Sequence, residues 1–275
     1  MNPHTPTAIR KYTATDLPSA LDALPALLQG KKPAVFLDYD GCLTPIVPKP
    51  EQAVLSEEMK ATLQQLAQHC FVAIVSGRDR ANVQQLVQLK ELYFAGSHGF
   101  DIMGPDGRHT EPGGARQVLP ALDAAEHELT RELQTIAGVL VERKRYAIAV
   151  HYRNVPQALE AQVKATTETI LARHPQLKQG AGKKIIELKP NLDWHKGKAV
   201  LWLLEEMHLN NAEVIPVYIG DDITDEDAFA ALQGRGIGIL VGEHDEQTAA
   251  TYRLENVAEV QQFLSRIVEE IRERQ

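Results

Sequence analysis

Two aspartates two residues apart, Asp38 and Asp40, follow the apolar run Val35-Phe36-Leu37 and precede Gly41. Side chains at i and i+2 of a strand share a face, so both carboxylates can enter one site. Placing two carboxylates side by side is costly unless a cation or a proton offsets them. The pair therefore asks for a metal, a shared proton, or both, although an aspartate at a strand end is also an ordinary turn residue. A second acidic stretch, Gly220-Asp221-Asp222-Ile223-Thr224-Asp225-Glu226-Asp227, follows another apolar run. Mg²⁺ takes oxygen ligands and needs only one or two carboxylates when water and phosphate complete its shell. Asp38 and Asp221, with the backbone near Asp40, suit that requirement, and Asp222 is the fourth candidate ligand. Thr224 or Asp225, with the acids after it, reads as a helix start, where negative charge is favourable. Lys196, in Trp194-His195-Lys196-Gly197-Lys198, also opens a helix. A cation there opposes the helix dipole, so an ion pair with a carboxylate and a phosphate is what would hold it. Ser76, in Val75-Ser76-Gly77-Arg78, can offer a hydroxyl and a loop N–H to a phosphoryl oxygen.

The elements that must position these groups follow from periodicity. Residues 1–15 read as a loose polar arm and 16–29 as a short amphipathic helix. The apolar run before Asp38 is a buried strand, and a helix follows over 56–69, opened by Ser56-Glu57-Glu58. A second strand at 71–75, a helix to residue 89 and a third strand at 92–95 complete the signature of a parallel sheet with right-handed crossovers. Ligands of such sheets bind beyond the carboxyl ends of the strands, where Asp38, Ser76 and the Gly96-Ser97-His98-Gly99 turn fall. The pattern then breaks at Gly104-Pro105-Asp106-Gly107 and Glu111-Pro112-Gly113-Gly114. Helices over 120–138 and 156–173 and strands at 139–144, 147–152, 177–180 and 184–188 predict an inserted antiparallel α+β module. The expected domains are 1–111 with 191–275, forming the α/β core, and 112–190, forming the insert. In the returning core, helices are expected over 194–207, 225–231 and 257–272, and strands at 214–219 and 236–241.

Composition narrows the class. The chain has 275 residues, 44% apolar and 24% charged, with a formal net charge of −8. That balance is ordinary for a soluble globular protein and argues against nucleic-acid binding. It leaves room for an anionic substrate, because a metal and a few local cations can reverse the sign inside a cleft. Two cysteines, Cys42 and Cys70, point to free thiols in a reducing cytosol rather than to a disulfide scaffold. No apolar stretch of membrane-spanning length and no signal-peptide pattern is present in the sequence, so a cytoplasmic protein without a membrane partner is expected.

Four pieces in this order, Asp38-Tyr39-Asp40-Gly41, Ser76, Lys196 and Gly220-Asp221-Asp222, resemble the haloacid-dehalogenase superfamily of phosphotransferases. Six longer stretches extend the match. They are Asp38 to Gly41 with Leu43-Thr44-Pro45-Ile46, Val75-Ser76-Gly77-Arg78, Gly96-Ser97-His98-Gly99, Ala149-Val150-His151-Tyr152-Arg153, Glu187-Leu188-Lys189-Pro190, and Gly220 to Glu226. Together they resemble the trehalose-6-phosphate phosphatase family. Two departures stand out: Cys42 where the family usually has Thr or Val, and Phe100-Asp101 where it often has Ala-Glu.

The resemblance implies a Rossmann-like core with an inserted cap and a Mg²⁺-dependent phosphoric monoester hydrolase acting on a phosphorylated disaccharide. It implies Asp38 as nucleophile, Asp40 as acid and base, and Ser76 and Lys196 as phosphate partners. The cap would bring specificity groups: Glu142 and Lys144 are i and i+2, as are His151 and Arg153, and Glu187 lies on a neighbouring strand. Equally, such residues form cross-strand ion pairs on solvated faces. Arg78 and His98 are candidates on the core side. A functional link to a trehalose-phosphate synthase is expected. Phosphatases of other sugar phosphates, such as sucrose phosphate or mannosyl-glycerate phosphate, are the nearest alternatives. A signalling receiver would be about half this length and would lack Asp40, and a non-hydrolysing sugar-phosphate sensor would be expected to lose Asp38 or Asp40.

Overall fold

The computed structural model describes residues 9–28, 30–182, 184–244 and 247–274. Most of the expected loose arm, residues 1–8, and the last residue of the expected first helix, Gln29, lie outside them. The chain divides into two compact units, Met1–Thr110 with His195–Gln275, and Glu111–Trp194.

In the first unit, the strands before the insert are β1 (Lys32–Leu37), β2 (Phe71–Val75), β3 (Tyr93–Gly96), β4 (Asp101–Met103) and β5 (His109–Thr110). The insert carries β6 (Leu140–Lys144), β7 (Ala147–His151), β8 (Leu177–Gly182) and β9 (Ile185–Pro190). The first unit resumes with β10 (Val214–Gly220), β11 (Ile237–Val241) and β12 (Tyr252–Leu254). Its eight strands form one sheet in the order β12-β11-β10-β1-β2-β3-β4-β5. Pairing is parallel from β12 through β3 and antiparallel for β4 and β5. The fold is α/β, as the alternating pattern predicts.

Helices cover both faces, so the inner strands are apolar on both sides. Alternate residues of β1 divide accordingly. Val35 and Leu37 pack with α1 (Ala20–Leu28), α2 (Glu57–His69), α3 (Arg80–Val87) and the C-terminal helix (Val257–Arg272). Ala34 and Phe36 pack with the two helices on the other face (Lys196–Glu206 and Glu226–Leu232). Ser56 caps α2 by accepting the Met59 N–H at 3.1 Å, as its position before Glu57 implies. The arm differs from the expectation where it is described. Tyr12 forms an antiparallel bridge to Thr248, and Arg10 N–H donates to the Gln233 side chain, so backbone hydrogen bonds tie it to the core.

In the second unit, an antiparallel sheet runs in the order β6-β7-β9-β8. Helices α4 (Leu119–Leu133) and α5 (Gln157–Arg173) cover one face over Ile148, Val150, Ile186 and Leu188. The two helices of the resumed core named above are α6 (Lys196–Glu206) and α7 (Glu226–Leu232), and the last is α8 (Val257–Arg272). Among the described residues no helix is long and apolar enough to cross a membrane.

Candidate active site

Asp38 leaves the carboxyl end of β1 with its N–H donated to the Ile219 carbonyl at 2.9 Å, so neighbouring β10 fixes where it emerges. Its side chain is buried. One carboxylate oxygen accepts the Tyr39 N–H at 2.7 Å, and the other lies 2.9 Å from Lys196 Nζ. Lys196 is the first residue of α6 and is buried at the positive end of the helix dipole. What holds it there is a carboxylate on each side: Asp38, and Asp225 at 2.8 Å.

Asp225 is the residue that sequence reasoning undervalued. It is fully buried, and its carboxylate collects four donors. Oδ1 accepts from Lys196 Nζ at 2.8 Å and from the Tyr218 hydroxyl at 2.5 Å. Oδ2 accepts from the backbone N–H groups of Asp221 and Asp222 at 3.1 and 3.0 Å. The sequence treats it as a helix-start acid, and it does belong to a capping box with Asp222. The signal that distinguishes it is its place four residues after Asp221, where a tight turn folds it back under the end of β10. Gly220 permits that approach, since a Cβ there would stand 2.3 Å from Asp225 Cγ.

Oxygens of Asp38, Asp221 and Asp225 all lie within 4.8 Å of one another. Burial, reinforced by Asp225, pushes the Asp38 carboxyl up to about 8 despite the opposing Lys196. Burial and Asp225 likewise push Asp221 up to about 7. Burial works to neutralise Lys196, and the two flanking carboxylates more than offset it, so the ammonium stays charged. Ionising all three carboxyl groups around one ammonium would leave an excess of negative charge, which a proton or a cation must offset. An all-oxygen set of this kind fits a hard divalent cation. Each Asp225 oxygen already takes two donors, whereas each Asp38 oxygen takes one, so Asp38 and Asp221 are the side chains better placed to hold an ion. Asp222 is exposed, and its carboxylate accepts its neighbour's N–H, Ile223, at 2.5 Å. The structure does not bring it into this group.

Asp40 faces elsewhere. Arg78 grips its carboxylate with two hydrogen bonds, Nε to Oδ2 at 2.6 Å and Nη2 to Oδ1 at 2.7 Å. A fork-to-carboxylate pair of this geometry fixes direction as well as charge. The same guanidinium donates to Asn82 at 3.0 Å and lies 5.4 Å from the centre of the Tyr39 ring. Ser76, buried at the end of β2, accepts the Arg78 N–H at 3.2 Å, which leaves its own hydroxyl proton to donate. The Ser97-His98 turn binds back to this loop, with Ser97 N–H on the Arg78 carbonyl at 2.7 Å and His98 N–H on Ser76 at 2.9 Å. His98 sits in the left-handed region, φ 57°, with its ring against Gly77, where a Cβ would stand 2.8 Å from Cε1.

In the second unit, Glu142, Ala149, Glu187 and Gly180 stand in register across the four strands. Glu142, Lys144, His151 and Glu187 therefore share the sheet face turned away from α4 and α5. His151 Nε2 lies 2.8 Å from Glu142 and Lys144 lies 3.8 Å from Glu187. Arg153 is exposed in the turn beyond β7.

A family model described as trehalose-phosphatase matches residues 36–258. The chain belongs to the trehalose-phosphatase family. The trehalose-phosphate phosphatase of Mycobacterium bovis is 42% identical over 265 residues, covering 94% of this chain and 68% of that one. A solved trehalose-6-phosphate phosphatase related protein superposes with a TM-score of 0.73 at 24% identity, over 88% of this chain and 100% of the other. A haloacid dehalogenase-like hydrolase of Bacteroides thetaiotaomicron shares the fold, with a TM-score of 0.64 at 17% identity over 86% and 100%. The family makes this chain a phosphatase.

The two departures from the family pattern have structural addresses. Cys42 is fully buried, and burial, with Asp221, Asp38 and Asp225 close by, holds its thiol well above the ordinary value and therefore neutral. Asp101 is buried on β4 and accepts Arg80 Nε at 2.8 Å, with His109 Nε2 2.6 Å away. Those partners tie β4 to α3 and to β5.

Proposed function

We propose that this chain hydrolyses trehalose 6-phosphate to trehalose and phosphate, with Mg²⁺ and through a phosphoaspartyl intermediate. The observation that carries the reading is Lys196 shared between Asp38 and Asp225, with Asp221 beside them, at the carboxyl edge of a parallel sheet. Asp38 is the nucleophile: its oxygen attacks phosphorus as the bond to the sugar oxygen breaks. Asp40 gives its proton to the departing sugar oxygen, then takes one from the water that attacks the acyl phosphate, which frees phosphate and restores Asp38. Ser76 and Lys196 hold phosphoryl oxygens during both transfers. Asp38, Asp221 and the backbone near Asp40 would hold Mg²⁺, which when bound supplies charge to offset the phosphoryl oxygens.

Arg78 and His98 are the core-side candidates for sugar contact. The polar face of the second sheet, with Glu142, Lys144, His151 and Glu187, and Arg153 beyond it, offers the mixed donors and acceptors that a disaccharide needs. Two buried free thiols, Cys42 and Cys70, support a reducing cytoplasmic setting, where a trehalose-phosphate synthase would furnish the substrate. The decisive experiment is phosphate release from trehalose 6-phosphate, sucrose phosphate and mannosyl-glycerate phosphate, each with and without Mg²⁺. Preference for the first and dependence on the ion are expected. Equal rates across the panel would defeat the trehalose assignment, and undiminished rates after chelation would defeat the metal.

A further inference from the structure

Tyr218 lies in the middle of the sheet on β10, paired with Phe36 of β1 on one side and Gly238 of β11 on the other. It is fully buried, and its ring meets Phe229 of α7 edge-on at 5.7 Å. A phenylalanine would fill the same volume, so packing does not account for the hydroxyl. The hydroxyl donates to Asp225 Oδ1 at 2.5 Å, the oxygen that also accepts Lys196 Nζ at 2.8 Å. The ammonium in turn stands 2.9 Å from Asp38, so its distances to the two carboxylates are nearly equal.

That balance needs a cause. Asp225 is more deeply buried than Asp38, with none of its surface exposed. Left with Lys196 alone on Oδ1, it would be the stronger partner and would draw the ammonium toward itself. A neutral donor on the same oxygen takes up part of its accepting capacity without adding charge. The elements that carry the four groups cannot slide to compensate. A Cβ at Gly197 would meet the Asp227 carbonyl oxygen at 2.2 Å, so α6 already touches the backbone of α7, and the Gly220 turn is equally close to Asp225.

We propose that Tyr218 is a positioning residue for the phosphatase reaction: its hydroxyl steadies Asp225 so that Lys196 remains shared with Asp38. This rests on Asp38 being the nucleophile. The effect reaches Asp38 through three contacts, Tyr218 to Asp225, Lys196 to Asp225 and Lys196 to Asp38, and Tyr218 acts only through them.

The test is Tyr218→Phe in the full chain, assayed at a temperature where both proteins are folded. The expected result is a kcat about tenfold lower with KM within about twofold, the pattern of a residue that acts through the partners of the reacting groups. Phe229→Leu, which disturbs the ring packing and keeps the hydroxyl, should lower the melting temperature and leave kcat near wild type. A crystal structure of Y218F should show Lys196 withdrawn from Asp38 beyond hydrogen-bond distance and still bound to Asp225. Wild-type kcat in Y218F, or an unchanged Lys196–Asp38 distance, overturns the proposal. A kcat loss in F229L equal to that in Y218F also overturns it, because packing would then explain both. If wild type releases phosphate from p-nitrophenyl phosphate and not from trehalose 6-phosphate, the substrate assignment fails. The Tyr218 comparison is then read on the aryl phosphate.

Discussion

Asp38 and Asp40 leave the same strand end and meet opposite surroundings. Asp38 is enclosed with an ammonium and two other acids, whereas Asp40 is at the rim, with 41% of its side chain exposed, in the grip of Arg78. Enclosure suits a nucleophile that must stay fixed on phosphorus, and the rim suits a group that exchanges protons with sugar and water. Asp40→Asn should therefore cut kcat by about 100-fold or more, the usual scale of acid–base assistance, with a modest change in folding because the amide oxygen keeps one of the two hydrogen bonds from Arg78 at a partly exposed site. Steady-state phosphate release beside a thermal melt checks both halves, and a variant that keeps its turnover would remove Asp40 from the mechanism. The carboxylate pair was visible in the sequence because spacing alone puts Asp38 and Asp40 at one strand end. The fork from Arg78 was not, since the two residues are 38 positions apart and only the β1–β2 pairing brings their loops together. Asp225 was hidden for a different reason: an acid in a first helical turn already has a local explanation, and nothing local reveals that it is buried against Lys196.

Among the elements, the strand-to-helix turns do the positioning, and glycines let them close. Gly41 has φ +76°, and a Cβ there would fall 1.9 Å from Asp221 Oδ2. The turn after β1 thus lies directly against the acid after β10. Gly41→Ala should cost about 1–2 kcal/mol from the left-handed backbone alone. It should also displace Asp221 and abolish the rise in melting temperature expected of the wild type with Mg²⁺. Melting curves with Mg²⁺ and with chelator measure both effects, and a variant that is destabilised yet retains the full Mg²⁺ response would separate the turn from the ion. The long apolar strands and the helix capped by Ser56 were readable from periodicity and capping chemistry. Strand β12, three residues long, carries too short a pattern to read, and the β4–β5 hairpin showed only its Gly104-Pro105-Asp106-Gly107 turn.

For the molecule as a whole, the clustered acids couple stability to pH. The net charge of −8 already disfavours concentrating negative charge, and the site adds Asp38, Asp221 and Asp225 around a single ammonium. Burial in the fold raises the Asp38 and Asp221 carboxyls to about 8 and about 7 from an ordinary 3.8. Between those values the folded protein binds protons that the unfolded chain has released. Stability contributed by these protons is complete below about pH 4 and is lost as pH rises through about 7 and then about 8. A divalent cation needs the ionised carboxylates, so it displaces those protons and restores what deprotonation removes. Mg²⁺ should accordingly raise the melting temperature more at pH 8 than at pH 6. Its binding near pH 7 should release protons, detectable by titration calorimetry in buffers of different ionisation enthalpy. A melting-temperature gain that is equal at both pH values, with heats independent of buffer, would mean that the ion does not bind through Asp38 and Asp221. The reading of Asp38 and Asp221 as carboxyls that exchange protons for the ion would then have to be abandoned, even if the chain proved to be an active phosphatase.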